Sequence, residues 1–307
     1  LDFSIRGGER KYGYRLNIPE NMEYAFSSFA RNNENPIQFY LQHLISEIIS
    51  TISGLVSEYS YHTNSRSVIE VESKNSINFI KWIAKIGDEN NLRLYTLNYD
   101  RVFKVLLENA NIKCFEGFYS SGEVSDLNGL RCDIKRIVKD DNINVHYNLH
   151  GSAFWKVIPS NKSQLPSPEL VYVGFPNLQI NDEIANVQIE KGKPIFLTNI
   201  ISGYQKAQKS MISPFKQMHF SFDRDCLSSN HVFIIGYSFS DEHINQCLKT
   251  AFRYNNKLKV EIIDPNFIKN KMDYHLSINL FQYIERDFIS PKKVGENEFS
   301  FYDGRIQ

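Results

Sequence analysis

His231-Val232-Phe233-Ile234-Ile235 runs into Gly236-Tyr237-Ser238-Phe239-Ser240-Asp241 and then into a helix-forming stretch, Glu242 to Tyr254. The first five residues form a nearly continuous apolar run, the pattern of a central parallel strand buried on both faces. The helix that follows supplies the crossover that parallel strands need, and the next strand, Leu258-Lys259-Val260-Glu261-Ile262-Ile263, stops at Asp264-Pro265. Right-handed β-α-β units of this kind build an open, doubly wound parallel sheet, so the predicted fold class is α/β.

The same strand-then-polar-turn grammar appears upstream. Leu92-Arg93-Leu94-Tyr95-Thr96-Leu97 ends in Asn98-Tyr99-Asp100, and a helix is expected from Arg101 to Asn109. Asn144-Val145-His146-Tyr147-Asn148-Leu149 ends in His150-Gly151-Ser152. Ligands of such sheets bind outside the carboxyl ends of the strands, where Asn98, Asp100, His150, Ser238 and Asp264 fall. Before this region the chain reads as mainly helical, residues 1–90. Apolar residues recur at helical spacing between Asn21 and Tyr61, and a second helix, Ser76 to Gly87, is expected to close on Gly87 as a left-handed cap. The core is expected over 91–290 within a single domain spanning 1–307. The polar, proline-punctuated stretch at about 156–230 is read as a lid or insertion containing a helix near Pro214 to Leu227.

Composition excludes several classes. Thirty-five Lys+Arg balance 35 Asp+Glu among 307 residues, which argues against bulk electrostatic binding of nucleic acid or of an anionic membrane. No run approaches the ~18 apolar residues of a membrane span, and Leu-Asp-Phe-Ser-Ile-Arg is no signal peptide. A cytoplasmic protein is therefore expected, and the leading Leu suggests that residues upstream are missing. Cys114, Cys132, Cys226 and Cys247 contain no C-x-x-C pair, so neither a zinc ribbon nor a redox dithiol is written here.

The strand ends carry the chemistry. Asn98 two residues before Asp100 offers an amide beside an ionised acceptor, suited to holding a polar ligand and an attacking water. A plain Asx turn explains the same tripeptide. His150, with Gly151 opening the backbone to ligand, is a candidate general base, and an ordinary structural histidine is its bland alternative. His146 lies four residues earlier and would share a face with His150 in a regular strand. Two histidines without a third ligand do not make a metal site, so none is expected. Gly236 and Ser238 offer a turn that can receive ribose or phosphate, or simply lead into a helix capped by Ser240 or Asp241. No G-x-G-x-x-G, P-loop or G-x-S-x-G segment occurs.

Taken in order, Thr96-Leu97-Asn98-Tyr99-Asp100, Leu149-His150-Gly151-Ser152 and Ile234 to Asn245 resemble the sirtuin-like domain of prokaryotic anti-phage NAD-hydrolysing effectors. The resemblance covers roughly Leu92 to Asp264 and implies a Rossmann-like core. It implies that Asn98 positions the water and the nicotinamide ribose, that Asp100 holds the nicotinamide carboxamide, and that His150 is the base. It places Gly236 and Ser238 on the ribose-phosphate and Asp264 on the adenosine ribose, with Thr96, Tyr99, Gly151 and Asp241 as further NAD-contacting positions. NAD+ is then the substrate, with no other cofactor.

The resemblance further implies abortive infection by NAD+ depletion and a separate partner such as a HerA-type ATPase or another sensor; a homo-oligomer is expected because assembly can hold a reaction so dangerous to the cell in check. Two features depart from it. The glycine-rich G-A-G-x-S loop is absent, and the paired-cysteine zinc module of deacylating sirtuins has no counterpart. The second departure disfavours NAD-dependent protein deacylation, which stays an alternative beside a non-catalytic module that senses NAD or ADP-ribose.

Overall fold

The computed structural model describes residues 2–5, 12–15, 44, 47–48, 50–52, 54–56, 69, 71–120, 129–139, 143–158, 168–174, 185–190, 193–201, 206–237, 239–263, 289–292, 301–302 and 305–306. The chain divides into two units, Leu1–Ile48 and Ile49–Gln307. In the first, β1 (Asp2–Ile5) and β2 (Tyr12–Arg15) pair as an antiparallel hairpin. Of the one or two helices expected between Asn21 and Tyr61, Leu44, Glu47 and Ile48 of this unit are helical, as are residues 50–52 and 54–56 of the second unit; the other residues of that stretch lie outside those described.

In the second unit, α1 (Lys74–Glu89) starts where the Ser73 hydroxyl accepts a hydrogen bond from the Ser76 backbone N–H at 3.2 Å. Phe79 and Ile83, four residues apart on one face, are buried. The helix does not close on Gly87 as the sequence suggested. It continues to Glu89, and the Asn90 N–H closes it on the Ile86 carbonyl at 3.0 Å. Gly87 serves close packing instead: a Cβ there would stand 2.8 Å from Ile112 Cδ1.

β3 (Arg93–Thr96) leads to α2 (Val102–Asn109), as read from the sequence. After β4 (Leu130–Arg131) and α3 (Ile134–Lys139), β5 (Val145–Asn148) pairs in parallel with β3, from Arg93 opposite Val145 to Thr96 opposite Asn148. All four residues of β5 are buried. The expected insertion holds β6 (Trp155–Ile158) and β7 (Glu169–Tyr172), which with β4 form an antiparallel sheet of order β4-β7-β6. It also holds the hairpin of β8 (Ala185–Glu190) and β9 (Lys193–Leu197), then α4 (Lys206–Lys209) and α5 (Phe215–Ser228). Trp155, Val157, Leu170 and Leu197 pack with Val145 and Tyr147 of β5 in one core cluster. Each such burial contributes roughly 1.5–3 kcal/mol. The Arg131–Glu169 ion pair on the same small sheet, with side chains 38% and 28% exposed, contributes about 1 kcal/mol or less. Apolar packing therefore holds this part of the insertion in the body of the unit.

β10 (His231–Ile235), α6 (Glu242–Tyr254), β11 (Lys259–Ile263) and β12 (Ile289–Lys292) complete the α/β part. β10 and β11 pair in parallel, and so do β11 and β12. Leu248, Ala251 and Phe252 of α6 close the core over Val260 and Ile262. Among the described residues the parallel strands form two sheets, β3-β5 and β10-β11-β12, and β10 is only half buried. Trp82 of α1 meets Phe233 of β10 edge-on, with ring centroids 5.0 Å apart. No helix among the described residues is long and apolar enough to cross a membrane.

Candidate functional site at the carboxyl ends of the parallel strands

A cavity of about 750 Å³ separates the two parallel sheets, with Arg93 to Leu97 on one wall and residues 231–235 on the other. At the carboxyl ends of these strands it is lined by Asn98, Gly236, Tyr237 and Asp241. Asn98 is exposed here. Its backbone is fixed on both sides: its N–H donates to Thr96 Oγ1 at 3.1 Å, and its carbonyl accepts from Asn148 Nδ2 at 2.9 Å.

The segment after β5 is locked to its neighbours. Gly151 has φ +83°, and a Cβ there would lie 2.2 Å from the Asn199 carbonyl oxygen. Only glycine fits, because left-handed backbone and close approach coincide. Ser152 N–H donates to Asn199 O at 3.1 Å and Ile201 N–H to His150 O at 2.7 Å. Ala153 N–H and Ser152 Oγ both donate to Tyr99 O, and Tyr99 Oη donates to Ile201 O at 2.9 Å. The turns after β3 and β5 thus form one hydrogen-bonded block carrying Asn98, Tyr99 and His150.

His150 is 2% exposed. Burial pushes its imidazole down to about 3; Asp241 opposes this, while His243, Lys206 and His219 add to it. The ring is neutral at physiological pH and so presents a lone pair. Asp241 sits at the start of α6, but its carboxylate does not cap the helix; it accepts from Lys206 Nζ at 2.6 Å. An imidazolium formed at His150 would meet that negative charge.

Two histidines that the sequence reading did not single out stand beside it. His243 Nε2 on the first turn of α6 is 3.2 Å from His150 Nε2, and His219 on α5 stacks 6.5 Å from His150, centroid to centroid. His243 lay within a motif already quoted, whereas nothing local marks His219. His146 does not join them. The strand ends at Asn148, so the alternation linking His146 to His150 breaks in the turn, and His146 is buried with both ring nitrogens lacking a partner among the described residues. Burial, then Lys104 and Arg101, lower it to about 3.

The remaining expected positions divide. Asp100 Oδ1 accepts from the Val102 N–H at 3.0 Å, starting α2, so the turn-forming alternative is realised there. Burial pushes its carboxyl up to about 6, although the hydrogen bonds from the backbone N–H of Val102 and of Asp100 itself lower it. Gly236 has φ +60° with open space around a would-be Cβ. Its N–H donates to Ile263 O at 3.0 Å, so that group is already engaged. Tyr237 Oη bonds Asp241 O at 3.1 Å and Asn245 Oδ1 at 2.9 Å. Ser238 and Asp264 lie outside the described residues.

The family comparison falls on this same region. A comparison with curated protein sequences returns no match. Residues 93–265, more than half of the chain, match the SIR2-like domain, whose members are NAD-dependent enzymes. From the first residue of β3 to just past β11, that span carries the three strand ends described above, and the chain belongs to the SIR2-like domain family.

Proposed function

We propose that the protein is an NAD+ glycohydrolase that releases nicotinamide and ADP-ribose, and that it depletes NAD+ in anti-phage defence. The observation that carries this reading is the hydrogen-bonded block of the turns after β3 and β5, which holds Asn98 exposed at the strand ends and His150 as a buried neutral imidazole acted on by the Asp241 carboxylate. In the reaction the bond between ribose C1′ and the nicotinamide nitrogen breaks, and its electron pair neutralises the pyridinium. Water adds to C1′ through an oxocarbenium-like state and gives up a proton. Asn98 orients that water and the ribose, and His150 takes the proton from water or from a ribose hydroxyl. Fixed positions are worth most in such a step, because no charge has to reorganise as the cation develops. Asp100 contacts the carboxamide from its place at the start of α2, and Gly236, Ser238 and Asp264 contact the remainder of the dinucleotide.

The cavity between β3 and β10 also bears on the sheet. The two strand edges facing it belong to parallel sheets. A further strand seated there would join them into one doubly wound Rossmann-like sheet, whose carboxyl end is the place for a phosphate-holding loop. Activity switched by self-assembly, or by a partner such as a HerA-type ATPase, suits a reaction that is toxic to its own cell.

The test compares cells expressing the wild type, Asn98→Ala or His150→Ala during phage infection. NAD+ is expected to collapse in the wild type and to stay above nine-tenths of its starting level, on the order of the uninfected control, in both variants. An equal collapse in either variant would remove the proposed site.

A further inference from the structure

His219 has no part in the hydrolysis described above, yet it is held in an arrangement that points to a ligand. We propose that His150, His219 and His243 form a binding site for a divalent transition metal ion of the zinc class. One ligating nitrogen from each lies within 4.8 Å of the others, and His150 Nε2 and His243 Nε2 are 3.2 Å apart. Two imidazoles on a tetrahedral zinc, at the usual ~2.0–2.1 Å, hold their nitrogens about 3.3 Å apart. A hydrogen bond between the two rings also accounts for that one distance, so the third ring decides.

His219 Nδ1 is 2.9 Å from the Phe215 carbonyl oxygen. A carbonyl only accepts, so Nδ1 carries the proton and Nε2 carries the lone pair. Nε2 is buried with no hydrogen-bond partner among the described residues. A buried acceptor left this way is costly, and an ion satisfies it. An N–H donated to a backbone carbonyl is also the outer support that fixes the tautomer of metal-binding histidines. Three imidazoles favour zinc, cobalt, nickel, copper or iron over magnesium or calcium, and leave a fourth tetrahedral position to water. The Asp241 carboxylate acts on both His150 and His243 and in each outweighs the opposing charge of Lys206, its ion-pair partner, so the potential beside the ion is negative on balance.

An ion on Nε2 of His150 occupies the lone pair that the proposed hydrolysis uses, so metal binding and turnover exclude each other. That consequence rests on the hydrolase reading; the site itself does not.

The experiment has two arms. The full chain, stripped with a chelator and dialysed, is titrated with Co2+ while visible absorption is followed, and Zn2+ is then added. Expected are one equivalent of Co2+ with a tetrahedral d–d spectrum, displacement by Zn2+, and affinity weakened roughly ten-fold or more in both His219→Gln and His243→Gln, with unchanged circular dichroism. No saturable spectrum from folded wild type, or equal affinity in wild type and both variants, overturns the site. In the second arm, Zn2+ is expected to suppress nicotinamide release by the wild type and to spare His219→Gln, which keeps its turnover. Release that persists with the metal bound overturns the exclusion. If no release occurs from the isolated chain or from infected cells expressing it, the hydrolase reading fails and the Co2+ titration alone judges the site.

Discussion

Gly151 and Asp100 show how single residues near the site are constrained in opposite ways. At Gly151 the limit is steric: φ is +83° and the Asn199 carbonyl oxygen stands where a Cβ would go. Gly151→Ala is expected to destabilise the fold by roughly 2–4 kcal/mol, combining left-handed strain with a forced shift of the 199–201 segment. Denaturant titration measures this. At Asp100 the limit is electrostatic. Its carboxyl is raised by burial from 3.8 to about 6, so the folded state binds the proton more tightly than the unfolded chain. Its contribution to stability is full below about pH 4 and is lost as pH rises through 6. Asp100→Asn keeps an oxygen for the Val102 N–H and removes the buried charge. The variant is expected to gain roughly 1–3 kcal/mol over the wild type at pH 8, and the gain is expected to vanish near pH 4.

Elements are tied together by a few polar anchors that periodicity does not reveal. Asp225 on α5 accepts from Tyr95 Oη at 2.5 Å and from Arg93 Nε at 2.6 Å, both on β3, and bonds Arg224 beside it at 3.0 Å. Burial and the Asp225 charge together hold the Tyr95 hydroxyl well above its ordinary range, so it stays a donor. Asp225→Ala removes the acceptor these groups share, and is expected to cost roughly 2–4 kcal/mol and to loosen α5 from β3. Faster amide exchange confined to α5 and β3 would be its signature. The strands and helices themselves were legible, because β10, α6 and β11 carry their apolar pattern in sequence. The end of α1 was not, since Gly87 answers to Ile112 across the packing and not to its own helix. The insertion was legible only as polar and broken by proline. Its short strands bury Trp155, Val157 and Leu170 through pairing partners that local pattern does not identify.

At the scale of the whole molecule, several buried histidines set the response to acid. Burial lowers His146 and His150 to about 3 and His219 to about 4. The unfolded chain therefore takes up protons first, near pH 6.5. The stability these groups give is full above that value and falls as pH drops toward 4, outweighing the opposite contribution of Asp100. Chemical denaturation midpoints are expected to fall steadily from pH 7 to pH 5. A flat profile over that interval would mean that the histidines are not buried as described. Of the candidate site, the placement at strand ends was legible in the sequence: Asn98 and His150 lie in the turns after β3 and β5, which the fold joins through Asn148 and Tyr99. His219 was not legible, because only the packing of α5 brings it to His150.

The proposed hydrolysis of NAD+ by this SIR2-like chain is read by incubating the full chain with NAD+ over a wide range of protein concentrations, so that self-assembly is included, and measuring nicotinamide and ADP-ribose together. Equimolar appearance of both products without any acyl-lysine peptide, abolished in His150→Ala, is the expected result. Nicotinamide release only when an acyl-lysine peptide is supplied, or NAD+ bound but intact at every concentration, would contradict it.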